Sequence, residues 1–431
     1  MELIKHLFFI VNIGVILYLI FFGKKETEST WAWILLLFHF PMIGLFLFLL
    51  IGQTIPKQNR WETKEGIGAV TEDNYIEILV EGEEKFQAVF KNIQNAKREI
   101  FIQYYIFKED FLFQKLRKLL CKKASEGVKV RILYDGLGSR KVPGKSWKEM
   151  KRAGVEVKCF RQQIGKNIFA LVFGFNYRNH RKIIVIDNHI GYFGGYNVGK
   201  EYLGMEPKFG FWRDTHFRLV GSAVNSLRNV FLQDWGTGEE TENCRGGFGG
   251  CAMQMVVSGP TSHSPHIRNV YLRCISSAKR QIWIQTPYFI PDAAVLNALK
   301  LALLSGKEVS LMIPCKPDHV FVYWVSMYYA AQLLQMGAKI YIYQKGFLHA
   351  KGIIMDEEVY CYGTANMDNR SFYLNYEINA IVYDKEEVNK MRTIYEKDCE
   401  DCKQLTIQEY GSRSLEIRIK EQIFRLLSPL L

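Results

Sequence analysis

Two stretches of this 431-residue chain carry the same chemistry. His180-Arg181-Lys182 is followed by Asp187, and His349-Ala350-Lys351 by Asp356, so the pattern HxKxxxxD occurs twice. In each copy a glycine stands seven residues after the Asp (Gly194, Gly363) and an asparagine ten after it (Asn197, Asn366). One such motif arises by chance in roughly a few per cent of chains this long; two with the same sequel are a signature. In an extended segment alternate side chains share a face, which puts His180 beside Lys182 and His349 beside Lys351. An imidazole next to an ammonium suits a phosphate, because the lysine neutralises the oxygens while the histidine reaches phosphorus. Asp187 and Asp356 complete each catalytic motif, although their odd spacing from the histidine turns them to the opposite face and favours a structural role. Asn197 and Asn366 are candidate donors to phosphate oxygens.

If the two histidines meet at one site, they divide the work. One, neutral, attacks phosphorus; the other, protonated, gives its proton to the leaving alkoxide. Their surroundings must then hold identical groups in different protonation states. A second hydroxyl opens the phosphohistidine, with the other histidine now acting as base. Each imidazole needs an acceptor to orient it, and Asp214, 34 residues after His180, and Glu377, 28 residues after His349, are the candidates. No metal and no cofactor is expected: Cys399 and Cys402 form a lone CxxC without a second pair.

The elements that must position these groups are themselves repeated. Lys97-Arg98-Glu99-Ile100-Phe101-Ile102-Gln103 returns 182 residues later as Lys279-Arg280-Gln281-Ile282-Trp283-Ile284-Gln285. Gly127-Val128-Lys129-Val130 matches Gly306-Lys307-Glu308-Val309, and Ala153-Gly154-Val155 matches Met336-Gly337-Ala338, at offsets of 179 and 183. The pattern predicts an α/β fold: two tandem α-β-α units with pseudo-two-fold symmetry, spanning 70–235 and 261–431, with a glycine-rich linker over 236–260. The two histidines would meet at the interface of the units.

The formal charge is +12, with 48% apolar and 23% charged residues, which excludes disorder for most of the chain and favours a polyanionic partner. Nine cysteines without a regular pattern fit reduced thiols better than a disulfide framework. Two apolar runs open the chain and are expected to span a membrane as a hairpin anchor over 1–60, with helices over about 4–22 and 31–51. Trp31, Trp33 and Trp61 stand where interfacial anchors belong, and Gly23-Lys24-Lys25-Glu26 is no signal-peptidase site. Lys5, Lys57, Arg60 and Lys64 on one side against Lys24 and Lys25 on the other put the catalytic part in the cytoplasm.

His180 stands 26 positions after Gly154, but His349 only 12 after Gly337. The excess falls around Arg161–Arg178 and includes the apolar run 168–175, too short to span. A membrane-dipping or acyl-chain-contacting element is the preferred reading, a buried element its rival. The run from Ile417 to Leu427 mixes apolar and basic residues and admits either a packed helix or one lying on an anionic surface.

The paired motif resembles the phospholipase D superfamily over nearly everything from residue 70 onward. With the apolar N-terminus, Gly194-Gly195-Tyr196-Asn197, Trp212-Arg213-Asp214 and the run from Asn366 to Ser371, the chain is similar to its bacterial cardiolipin synthase branch. That resemblance implies a membrane enzyme transferring a phosphatidyl group from one phosphatidylglycerol to another, with release of glycerol. It implies His180 as nucleophile, His349 as general acid and base, and carboxylates that reach across: Asp214 to His349, Glu377 to His180. It places the chain as a multi-pass protein in a bacterial inner membrane, with an anionic membrane and no nucleic acid as partner, and leaves homo-oligomerisation open. The rivals are a hydrolytic phospholipase D and a nuclease-type phosphodiesterase, which would use the same histidines, and a non-enzymatic membrane scaffold, which two intact motifs argue against.

Overall fold

In the computed structural model, residues 2–22, 27–52, 68–160, 176–237, 249–316 and 318–430 are described. The chain divides into two compact units, one of residues 1–58 with 161–178, the other of 59–160 with 179–431.

The second unit is built on a mixed sheet in which fifteen strands follow a single hydrogen-bonded path. From one edge the order is Glu156–Phe160, Lys129–Asp135, Glu99–Tyr104, Ile183–Ile186, Ile190–Gly194, His216–Val220 and Thr71–Leu79. The path continues through Cys251–Ser258, Asn375–Val382, Val359–Gly363, Gly352–Met355, Gln281–Gln285, Glu308–Pro314, Lys339–Tyr343 and Cys402–Leu405. Apart from the last strand, the second seven repeat the first seven in reverse order. In both halves three parallel strands are followed by antiparallel ones.

Local sequence explains the elements. Ile100, Phe101, Ile102 and Tyr104 are consecutive or nearly so and all buried, as a strand covered on both faces requires. The helix Gly82–Asn95 buries Phe86, Val89, Phe90 and Ile93, a three-to-four-residue spacing that makes one apolar stripe. Asp110, Asp292 and Asp384 cap the helices that follow them by accepting backbone N–H groups of the first turn.

The halves meet where Thr71–Leu79 runs antiparallel to Cys251–Ser258, with a bulge between the pairs Thr71–Met253 and Asn74–Cys251. Asn74 satisfies that irregularity: its amide donates to the Thr71 and Cys251 carbonyls and accepts from the Ala223 N–H. Part of the region expected as linker is therefore a central strand. Cys251, Met253 and Met255 are buried on one side while Ala252 and Gln254 are partly exposed, a period of two that outweighs the glycines before it. One apolar core runs through both halves, joining Phe101, Val185 and Phe217 to Trp283, Ile354 and Tyr360.

The N-terminal residues form three helices, Glu2–Phe21, Thr27–His39 and Pro41–Ile51. Among the described residues no helix is long and apolar enough to cross a membrane. The second run, expected as one span over 31–51, breaks at Phe40–Pro41, where proline cannot continue the preceding helix and instead starts the next. Leu19, Leu37, Leu45 and Phe48 pack together, while Phe9, Ile10, Phe21, Phe38 and Phe46 point outward. The run 168–175 and most of the insertion around it lie outside the described residues.

Candidate active site

Each motif histidine stands three positions before a short buried strand, Ile183–Ile186 or Gly352–Met355, that neighbours the repeated strand of its half. The backbone N–H of His180 donates to the Tyr376 carbonyl at 3.0 Å, and that of His349 to the Arg213 carbonyl at 2.6 Å. Tyr376 and Arg213 each stand one residue before the candidate carboxylate. Each histidine is therefore pinned by the other half, next to that half's acid.

The imidazoles follow suit. Nδ1 of His180 lies 2.9 and 3.0 Å from the two oxygens of Glu377, and Nδ1 of His349 lies 2.6 Å from Oδ2 of Asp214. An acceptor-only carboxylate takes the proton of Nδ1, which leaves Nε2 of each ring with its lone pair free. Both carboxylates have no solvent exposure, and the histidine side chains are 12% and 9% exposed. Aromatic rings exclude water: Tyr105 stands edge-on to His180, while Trp212 and Phe347 flank His349.

Lys182 donates to the His180 carbonyl at 2.6 Å, and Lys351 makes the same bond to the His349 carbonyl, with its ammonium 3.6 Å from Asp214. Burial pulls Lys182 down to about 7 and Lys351 down to about 8. Burial also lowers both histidines, His349 to about 4, so the resting imidazoles are neutral at pH 7. Burial pushes the Asp214 carboxyl up, yet Lys351 and His349 outweigh it and hold it at about 2. Glu377 is likewise lowered, burial being overcome by His180 and Lys182. Lys351 acts on His180 and Lys182 as well, so the basic groups of both halves share one site.

The remaining members of the expected set lie elsewhere or are already engaged. Asp187 and Asp356, named as motif acids, stand at the far end of the four-residue strands, roughly 13 Å of extended chain beyond. Asp187 accepts the N–H groups of Lys97, Arg98 and Glu99; Asp356 accepts those of Lys279, Arg280 and Gln281. They tie the start of the repeated strand and do not reach the histidines. Asn197 is buried and spans two loops, accepting from the Ile106 N–H and donating to the Tyr202 hydroxyl, so its amide is largely consumed. Asn366 is buried too, and its amide oxygen has no partner among the described residues.

Two buried ion pairs that the motif spacing does not indicate brace the site. Arg181 forks onto Asp234 at 2.7 and 2.8 Å and donates to the carbonyls of Glu377 and Ser258. Arg213 pairs with Asp398, its Nε donating to Oδ1 at 2.8 Å and its Nη2 lying 2.8 Å from Oδ2. Gln103 donates to Asp234 and Gln285 to Asp398. The recurrence of Gln103 and Gln285 in the repeat was the available signal; their acids come from helices far along the chain.

Comparison with known proteins adds independent findings. The model of the family "Cardiolipin synthase, PLD-like domain" matches residues 89–235 and 271–399, and that of "Phospholipase_D-nuclease N-terminal" matches 10–53. The chain is 42% identical to the major cardiolipin synthase ClsA of Bacillus subtilis and 41% identical to a cardiolipin synthase of Oceanobacillus iheyensis. Both matches cover 100% of this chain and 99% of the relative. Among solved structures, a phosphatidylserine synthase of Haemophilus influenzae superposes with a TM-score of 0.64 at 13% identity, covering 83% of this chain and 95% of that one, which is a likeness of fold.

Proposed function

The chain belongs to the cardiolipin synthase family with phospholipase D-like domains, and we propose that it transfers a phosphatidyl group between two phosphatidylglycerol molecules. The observation that carries this reading is the pair of cross-half contacts, Glu377 with His180 and Asp214 with His349, made at Nδ1 of each ring, with a buried lysine bonded to the carbonyl of each histidine.

In this reading Nε2 of His180 attacks phosphorus of the first phosphatidylglycerol, forming a phosphatidyl-histidine as the P–O bond to the head-group glycerol breaks. His349, protonated, gives its Nε2 proton to that alkoxide and glycerol leaves. The neutral His349 then takes the proton of a hydroxyl on the second phosphatidylglycerol, whose oxygen attacks phosphorus, displaces His180 and yields cardiolipin. Lys182 and Lys351 balance the phosphate charge, and Glu377 stabilises the charged His180 of the intermediate. Both histidines start neutral, which suits the nucleophile. The acid needs a proton, and the arriving anion supplies the field that favours imidazolium at His349.

The N-terminal unit is the membrane anchor in this scheme: its outward-facing phenylalanines and isoleucines suit hydrocarbon better than water. The balance of flanking lysines and arginines supports a catalytic unit on the cytoplasmic face of a bacterial membrane. The reading is tested by incubating the purified full chain with phosphatidylglycerol vesicles. Cardiolipin and free glycerol in equal amounts are expected, and none from His180→Ala. Phosphatidic acid as the sole product would assign hydrolysis instead.

A further inference from the structure

We infer that the C-terminal helix Leu415–Phe424 and its continuation to Leu426 form a docking surface that lies flat on an anionic bilayer. The inference rests on the lipid-substrate reading above. Leu415, Ile419, Ile423 and Leu426 are 72, 48, 58 and 71% exposed, and their spacing of four, four and three puts them on one side of a helix. That is the reverse of a packed surface helix, whose apolar stripe faces the core. Here the inward side carries the buried Glu421, held by Tyr410 and Arg413, together with Phe424 packed on the core of the helix Val320–Leu334.

Charge selects the occupant. Going round the helix at 100° per residue, Arg418 and Arg425 flank the stripe on one side, while Glu416, paired with Lys420, closes the other. Over 413–426 there are four cations and two acids, one acid being the buried Glu421. A second copy would face this positive surface with its own, whereas an anionic lipid surface complements it and takes up the apolar side chains.

The inward side of the helix also packs toward the site. Phe321 meets Phe424 at 6.5 Å between ring centres, and both Val320 and Phe321 are exposed. They stand two and three residues after Asp318, whose charge acts on both His349 and Lys351. An enzyme that reacts a lipid head group while the acyl chains stay in the bilayer must bring such a rim to the membrane.

The test compares two substrates with the full chain: vesicles of equal parts phosphatidylglycerol and phosphatidylcholine, and short-chain dihexanoyl phosphatidylglycerol dissolved below its micellar concentration. Replacing Leu415, Ile419, Ile423 and Leu426 together by Ser should lower turnover on vesicles roughly fivefold to tenfold and leave the dissolved substrate within about twofold. Arg418→Gln with Arg425→Gln should weaken the salt dependence on vesicles, and vesicles should slow amide exchange over 415–426 in the native chain. Equal loss on both substrates, no loss on vesicles, or unchanged exchange would overturn the inference. A dimer that the serine variant dissolves would assign the stripe to a second copy instead. Absence of cardiolipin from the native chain on either substrate would sink the parent reading, not this one.

Discussion

The halves of the catalytic unit hold a carboxylate in the same place and accommodate it differently. His216 pairs with Gly194, and Asn379 with Gly363; Asp214 and Glu377 each stand two residues before those partners. Glu377 reaches His180 with both oxygens. The shorter Asp214 presents one oxygen to His349 and fixes the other on the Thr215 N–H at 2.8 Å. The residue after the motif glycine differs to match. Next to Glu377 it is Thr364, bonded to the Ile378 backbone, whereas next to Asp214 it is Gly195, where a Cβ would lie 1.9 Å from the carboxylate. The duplicated fold sets the position of the acid, and local side-chain volume decides which acid fits.

The largest effects come from the histidines, and they break the symmetry. His180→Ala and His349→Ala should each lower turnover by at least about 10⁴-fold. With a phosphodiester donor whose leaving group is p-nitrophenol, no acid is needed. His349→Ala should then still form the covalent adduct, seen by mass spectrometry, and His180→Ala should not. The opposite result would exchange the two roles while keeping the site.

Next come the acids. Glu377→Gln and Asp214→Asn should each lower kcat about 10²- to 10⁴-fold, because an amide no longer fixes the Nδ1 proton or stabilises imidazolium. Gly195→Ala should mimic Asp214→Asn in kcat, since the new methyl displaces that carboxylate; the corresponding Thr364→Ala should be mild. Equal effects of Gly195→Ala and Thr364→Ala would refute the volume argument.

A pH profile sharpens the comparison further. Lys182 and Lys351, lowered to about 7 and 8, lose their charge as pH rises through those values, so kcat/KM should fall on the alkaline side from about pH 7 to 8. On the acid side it should fall only below the ordinary histidine range, because burial holds the nucleophile His180 neutral down to there. Lys182→Arg, charged at every working pH, should remove part of the alkaline limb. An alkaline limb unchanged by that substitution would show that another group sets it.

How much of this was legible follows from the range of each interaction. The motif, its repeat and its alternating elements are local and were read directly, as were the two acids. Adjoining glycines hide the alternation of Cys251–Ser258, so the strand reads as linker, and Pro41 is inconspicuous inside an apolar run. The clamps Arg181–Asp234 and Arg213–Asp398 join residues 53 and 185 positions apart, and no spacing rule reaches them. Even so, both arginines stand next to residues already singled out, one inside the motif and one before Asp214.

The smallest expected effect concerns the last letter of the motif, where sequence identity and chemistry part. Asp187 and Asp356 both adopt positive φ, 54° and 51°, and both turn their carboxylates back onto three successive N–H groups. Those bonds fasten the repeated strand to the one carrying histidine and lysine, so their loss is a loss of stability. Asp356→Asn keeps one acceptor oxygen and should cost about 1–3 kcal/mol in denaturant unfolding, with kcat changed by less than about threefold and the pH profile unmoved. The sign with acid follows: burial tends to raise the Asp356 carboxyl, but the Lys279, Gln281 and Arg280 N–H groups outweigh it and hold it low. Its contribution is thus present above the ordinary carboxylate range and lost as pH falls through the lowered value. The same substitution at Asp187 should match it, since the two caps are alike bond for bond. A shifted pH–rate profile in either variant would return these acids to the reaction and make the motif catalytic in all three of its letters.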